Sequence, residues 1–321
     1  MKMGAARECG ALFLFVGSPA SPAWPGYLHN EECRMFRETV SRRACIALTA
    51  LAAVVLTLPI EARQLPLQPV RESGQSVTAA FEGWYQNPDG TYTLLVGYFN
   101  RNTKETLDIP VGPNNRIEPG GPDFGQPTHF MPRRQWGVLA IKVPKDFGDR
   151  RLTWTIVANG QTTSVPIGVI KGYQVEPFKE AAQGNEPPKI QFDPKGPVFQ
   201  GPPVTTAATF TGTVGQPLTL EATVSDSAAN DPELSPIQLK QPPISMSWSK
   251  YRGVGDVKFE PVRPPVGKDG KVTATATFSQ PGEYVLRAQV NDRSGEGGGG
   301  FQCCWTNAHV KVTITGSTTK N

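Results

Sequence analysis

Turn-forming residues interrupt this sequence so often that a helical fold is disfavoured. The 321 residues include 33 glycines and 31 prolines. Most of the chain consists of short runs in which apolar and polar residues alternate and which end at Gly, Pro, Asn or Asp, a pattern typical of strands joined by tight turns. The length suits two domains of ordinary size. We therefore predict an all-β protein with two β-sandwich domains.

The first sandwich is predicted over residues 76–178, after a linker at 63–75. Its first hairpin is predicted at Asn87-Pro88-Asp89-Gly90 and a second tight hairpin at Asn159-Gly160, both strong turn signals. Residues 112–134 between these hairpins are rich in Pro and Gly and only weakly periodic. A long loop is expected there, and loops of that length are often functional.

The second sandwich is predicted over residues 187–315, and a tail follows at 316–321. A Pro/Gly-rich linker at 179–205 precedes it and overlaps its first strand. Apolar residues alternate with polar ones in PLTLEATVSD at 217–226 and in GEYVLRAQVND at 282–292. This alternation indicates strands with one buried face.

Five features of the second half carry a family resemblance. They are GQPLTL at 215–220, VSD at 224–226, Trp248, PGEYVL at 281–286 and VND at 290–292. With them, the second half resembles bacterial immunoglobulin-like domains of the polycystic-kidney-disease (PKD) type. The resemblance implies an immunoglobulin-like sandwich with a central Trp and a Tyr that opens a late strand. The usual Trp-x-Phe-Gly-Asp-Gly hairpin is replaced here by WSKYRGVGD at 248–256.

The chain without its N-terminal part is also similar to a group of exported bacterial proteins. The strings that carry this similarity are NPDGTY at 87–92, FNRN at 99–102, PVGPNN at 110–115 and GGGGFQCCW at 297–305. The similarity implies an exported compartment and supports the predicted fold of two immunoglobulin-like sandwiches. It implies no activity, because fold alone does not determine function.

A secretory signal peptide is predicted over residues 35–62. Its apolar core is ACIALTALAAVVLTLP at 44–59, arginines precede the core, and the small Ala62 marks the cleavage point. The core is shorter than the roughly 20 residues of a stable membrane span. We expect a processed chain that begins at Arg63, in the periplasm or outside the cell. The alternative is an uncleaved anchor, which would be the chain's sole contact with a membrane.

The signal begins unusually far from Met1. Met35 opens a conventional signal layout by itself, with a basic flank and then the apolar core. We therefore expect residues 1–34 to be an extension of the gene model, with Met35 as the true start.

The five cysteines are divided by the predicted cleavage point. Cys9, Cys33 and Cys45 lie before it, and only the adjacent Cys303 and Cys304 follow it. A disulfide framework needs separated pairs, so this chain is not a disulfide scaffold. The two remaining residues can form a vicinal disulfide, bond to another chain or stay reduced. The vicinal disulfide is the favoured prediction in an exported protein, and a zinc site does not fit the spacing.

The long loop and the segment after it contain the candidate binding residues. These are Asn114, Arg116, Asp123, His129, Arg133 and Trp136. The loop either contacts a ligand or only caps one end of the first sandwich. His129 with Asp123 is also the best site for a hydrolase, although the sequence has neither a nucleophile elbow nor an H-E-x-x-H motif.

Two further chemistries receive weaker support. Calcium favours clustered oxygen ligands, and one end of the second sandwich could bring together Asp226, Asp231, Asp292 and Glu296. No other cofactor is predicted.

Adjacent aromatic residues such as Trp84 and Tyr85 could present outward rings to a sugar. His309 is expected on the exposed face of the last strand.

Charge and motifs together favour a binding role. The net charge of +4 is spread along the chain, whereas nucleic-acid binding needs a concentrated basic face. We therefore predict an exported, non-enzymatic structural or interaction protein whose partner is a protein or glycan of the cell envelope or the extracellular space. The alternatives are a carbohydrate-binding accessory module and a hydrolase with a site at 112–136.

Overall fold

The computed structural model describes residues 71–176, 179, 184–227, 240–293 and 304–316, which belong to one compact unit. Residues 1–70, which include the predicted signal peptide, lie outside these residues. Within them, no helix is long and apolar enough to cross a membrane. The regular elements are seventeen strands: β1 (Val77–Gln86), β2 (Tyr92–Asn100), β3 (Leu107–Asp108), β4 (Asn115–Glu118), β5 (His129–Phe130), β6 (Arg133–Val143), β7 (Leu152–Ala158), β8 (Gln161–Ile167), β9 (Lys189–Gln191), β10 (Val198–Gln200), β11 (Thr206–Thr213), β12 (Leu218–Ser225), β13 (Ile244–Arg252), β14 (Val257–Glu260), β15 (Lys271–Phe278), β16 (Gly282–Asp292) and β17 (Trp305–Thr315). The all-β prediction is confirmed.

The N-terminal sandwich packs two three-stranded antiparallel sheets face to face. One sheet has the order β1-β2-β6 and the other β4-β7-β8, while β3 and β5 pair beside them. Leu94 of β2 and Trp154 of β7 both belong to the shared core. The predicted two-residue hairpin at Asn159-Gly160 is confirmed, because both residues have positive φ and Ala158 pairs with Gln161.

The segment 112–134 is not a loop throughout, since it contains β4 and β5. Its irregular parts are organised around the buried side chain of Asn115. The Asn115 amide donates to the carbonyl oxygens of Ile109 (2.9 Å) and Pro127 (2.7 Å), and its oxygen accepts from the Trp154 indole (2.9 Å). A buried side chain thus satisfies backbone groups that a regular sheet would have paired.

The C-terminal sandwich has the strand order of an immunoglobulin-like domain. One sheet is β10-β9-β12-β15-β14 and the other β11-β17-β16-β13, with β11 parallel to β17. The buried Trp248 lies on β13 between the sheets. Tyr284 donates its hydroxyl to the carbonyl of Gln280 (2.7 Å) at the crossing from β15 to β16, the geometry of a tyrosine corner. Strand β11 was missed from the sequence because its Thr- and Ala-rich pattern alternates only weakly.

The two sandwiches are packed against each other. Tyr251 of β13 is buried in the core of the N-terminal sandwich, and its backbone carbonyl accepts from Thr128 N (3.1 Å). The outer face of the β16–β17 sheet is therefore covered where a free-standing sandwich would meet water. Alternation along a strand cannot reveal such a second covered face.

His309 lies on that covered face, so the expectation of an exposed strand residue was wrong. Its ring centroid is 4.1 Å from that of Tyr251. Burial lowers the pKa of His309 to about 3, and the nearby Arg287 and Arg252 add to this effect. The histidine is therefore neutral at physiological pH.

Candidate binding surface at the junction of the two sandwiches

The candidate residues of the 112–136 segment divide into an exposed group and a group that contacts the second sandwich. Asn114 and Arg133 are exposed, and Arg133 adopts a φ of 70°. Arg116 is held on the surface by Glu118 (2.9 Å) and by the carbonyl of Pro113. Their role in binding remains a prediction.

Asp123 joins the loop to the second sandwich. Its two carboxylate oxygens accept from the guanidinium of Arg252 at 2.7 and 3.1 Å. The hydrogen bonds from Arg252, together with the backbone N–H of Gly125, hold the pKa of Asp123 below its ordinary value. Arg252 also donates to the carbonyl of Gln126 (2.6 Å), and the Tyr251 hydroxyl donates to that of Gly125 (2.7 Å).

Replacing Asp123 by alanine is expected to lower the free energy of unfolding only slightly, by about 0.5–1 kcal/mol, because the ion pair is partly exposed. A double-mutant cycle of Asp123→Ala with Arg252→Ala, followed by urea unfolding, measures the pairwise energy. A coupling energy of zero would contradict the bidentate contact.

His129 belongs to a charged cluster centred on Asp108. One Asp108 oxygen lies 2.8 Å from His129 Nδ1 and 3.0 Å from Lys250 Nζ. Although partial burial pushes the pKa of Asp108 upward, the hydrogen bonds and charges of His129 and Lys250 hold it below its ordinary value. Burial also lowers the pKa of His129, and Asp108 opposes this only in part.

The cluster lies beside a cleft of about 490 Å³ that is lined by Asp108, Lys250 and Arg252. Catalysis through a His–Asp pair would need a nucleophilic hydroxyl or thiol beside the free ring nitrogen. Among the described residues, the one side chain hydrogen-bonded to His129 is Asp108. The His129–Asp108–Lys250 cluster connects the two sandwiches, because Asp108 of the N-terminal sandwich pairs with Lys250 of the C-terminal one.

Trp136 takes part in a second polar cluster, which sequence reasoning missed. The guanidinium of Arg134 lies 3.9 Å from the Trp136 ring centroid and 2.6 Å from the carboxylate of the buried Glu82. Burial raises the pKa of Glu82 to about 7, against the opposing attraction of Arg134. One face of the Trp136 ring is thus occupied by Arg134. The one sequence signal for this cluster is a glycine, Gly97, inside a strand pattern, which often marks a close approach. A Cβ at Gly97 would lie 2.1 Å from Glu82 Oε1.

Residues 135–137 of β6 meet the covered face of β16 and β17. Arg287 donates to the Gln135 side chain (2.5 Å), and Asn307 donates to the carbonyls of Trp136 (2.9 Å) and Gly137 (3.1 Å). The fully buried Trp305 lies directly over Gly137, where a Cβ would come within 1.8 Å of its ring. These contacts make the junction a packed interface with many hydrogen bonds.

The weaker candidates are placed as follows. Cys304 is disulfide-bonded and has a φ of 78°. Because Cys303 lies outside the described residues, the vicinal bond stays a prediction.

Of the predicted calcium ligands, Asp292 accepts from the Asn185 amide at 2.7 Å. The described residues contain no group of three or more metal-ligating side chains, and Asp231 and Glu296 lie outside them, so calcium binding with Asp226 also stays a prediction.

No family model and no curated protein matches this sequence. Among solved structures, the chain is similar to the D00–D0 domain of intimin, with 13% identity, a TM-score of 0.24 and coverage of 75% of this chain and 100% of that one. The D0–D1 domain of intimin is also similar, with 12% identity, a TM-score of 0.23 and coverage of 75% of this chain and 97% of that one. Domains 4 and 5 of the S-layer protein SbsC have 12% identity, a TM-score of 0.20 and coverage of 75% of this chain and 98% of that one. The immunoglobulin-like assignment rests on this chain's own strand order and tyrosine corner.

Proposed function

We propose that this chain is an exported, non-enzymatic interaction protein whose two sandwiches act as one block toward a protein or glycan of the cell envelope or the extracellular space. The observation that carries the proposal is the junction itself. Of the two residues that a hydrolase site would use, Asp123 binds Arg252 of the C-terminal sandwich, and His129 is hydrogen-bonded to Asp108, which pairs with Lys250 of that sandwich. The exposed Asn114 and Arg133, together with the partly exposed Arg116, are then the part of the segment left to meet a partner.

Photo-crosslinking in intact cells tests this role. A benzophenone amino acid is placed at Arg116, and the control position is Lys258, an exposed residue of the C-terminal sandwich. We expect an adduct with an envelope component from position 116 that is much weaker from position 258. Equal labelling from both positions, or none from position 116, would count against the proposal.

Export makes a separate prediction. The chain recovered from the exported fraction is expected to begin at Arg63, because Ala62 completes the signal pattern. Replacing Ala62 by lysine should leave an unprocessed chain, whereas Glu61→Ala should be processed normally. Intact-mass measurement distinguishes these products. An exported chain that retains residues 35–62 would support the anchor instead.

A further inference from the structure

A cavity of about 470 Å³ lies at the end of the β13–β16 sheet. Its lining includes polar residues that face each other on neighbouring strands. Ser245 of β13 is paired with Asn291 of β16, and Ser247 with Gln289. Arg293 follows directly after β16, and Arg263 also lines the cavity.

Several polar groups of the cavity have no partner within the described residues. Asn291 is only 9% exposed, and its side-chain oxygen accepts no hydrogen bond there. Arg293 Nε is likewise buried without an acceptor. Arg263 is exposed and forms no salt bridge within the same part of the chain. Buried polar groups are nearly always hydrogen-bonded, so the Asn291 oxygen and Arg293 Nε indicate a ligand, and Arg263 adds a positive charge to the same lining.

The unpartnered groups specify the chemistry of that ligand. Two guanidinium groups call for an anion, and planar carboxylates match their geometry. The Asn291 oxygen calls for an N–H or O–H donor. The acid in the lining, Asp292, is already occupied by Asn185 at 2.7 Å. The ligand therefore carries a carboxylate close to a hydrogen-bond donor.

The open edge of β13 favours a peptide. Trp248 N donates outward to the carbonyl of Val262 (3.0 Å), so the backbone of Met246, two residues earlier, also points outward. Pro264 and Pro265 have no N–H groups, so the segment that pairs at Val262 cannot continue along this edge. An added strand could pair there. The described lining contains no aromatic ring on which a sugar would stack.

We propose that this cavity binds the C-terminal end of an extended peptide. The terminal carboxylate would meet Arg293 and Arg263, the amide N–H of the terminal residue would donate to Asn291, and an apolar terminal side chain would pack against Pro265 and Val266. The inference deepens the proposed function, on which it rests, by naming a class of partner.

Calorimetric titration of the purified full-length chain tests this site. The probes are acetyl-Ala-Ala-Ala-Val with a free carboxylate, the same peptide as its C-terminal amide, and trigalacturonate as an acidic sugar. We expect the free acid to bind at least tenfold more tightly than the amide, and more tightly than trigalacturonate. Equal binding of acid and amide, no binding of either peptide, or preferential binding of trigalacturonate would overturn the proposal.

Matched variants locate the binding. Arg263→Gln, which alters an exposed side chain and should fold normally, and Arg293→Gln are each expected to weaken binding of the free acid at least fivefold. Arg101→Gln, on the N-terminal sandwich, is the control and should leave it unchanged. Unchanged affinity in both cavity variants would place the peptide elsewhere and overturn the site. The assay uses purified protein, so its failure is distinguishable from a failure of export or of crosslinking at position 116.

Discussion

Replacing Gly137 by alanine is expected to lower the free energy of unfolding by about 3–5 kcal/mol, comparable to the loss of a buried tryptophan. The added Cβ would lie 1.8 Å from the Trp305 ring, so the indole must leave its place between the sandwiches. The φ of +51° at Gly137 adds the strain of a left-handed conformation. Thermal unfolding should show a fall in Tm of roughly 10 °C, and tryptophan emission should shift to the red.

Gly148 provides a matched control for this substitution. Its φ is +55°, close to that of Gly137, but a Cβ there would have its nearest contact at 3.9 Å, with the Asp146 carbonyl. Gly148→Ala therefore reports the backbone strain alone. Equal destabilisation by the two substitutions would mean that the Trp305 contact contributes nothing to the junction.

Acid is expected to destabilise the protein through His309. The pKa of His309 is about 3 in the folded state and 6.5 in an unfolded chain, so the unfolded chain takes up the proton first. The stability that depends on the neutral ring is fully present above pH 6.5 and is lost as the pH falls toward 3. The slope is roughly 1.4 kcal/mol per pH unit between these values.

The variant His309→Phe tests this prediction, because it keeps an aromatic ring beside Tyr251 and removes the titrating group. Urea unfolding at pH 8, 6, 5 and 4 gives the free energy of unfolding of both proteins. Between pH 8 and pH 4, the value for the variant should rise relative to that of the parent protein by roughly 3 kcal/mol. Glu82, whose pKa is raised to about 7, acts in the opposite direction between pH 4.5 and 7 in both proteins and cancels in the difference. Parallel pH profiles would contradict the assignment.

Both experiments concern the junction, which also limits what the 112–136 segment can do. Its acidic and imidazole side chains are hydrogen-bonded at 2.7–2.8 Å to groups that hold the two sandwiches together. A partner therefore meets a surface that is already ordered. Such a surface binds with little loss of conformational entropy.

The sequence by itself determined the fold class, the second hairpin and the general course of the C-terminal sandwich. These depend on local signals: turn residues, alternation along a strand, and a tyrosine placed at the start of a late strand. Asn159-Gly160 and Tyr284 are examples, since each acts within four residues of its own position.

Only the tertiary structure decided which outer strand faces of one sandwich are covered by the other sandwich. His309 and Trp305 lie on a strand face that a single sandwich would expose, and it is the N-terminal sandwich that covers them. Arg252, which pairs with Asp123, and Lys250, which pairs with Asp108, lie more than a hundred residues away from these acids in sequence. Contacts of such separation leave no periodic trace in a sequence, because they depend on how two finished sheets pack rather than on how each strand forms.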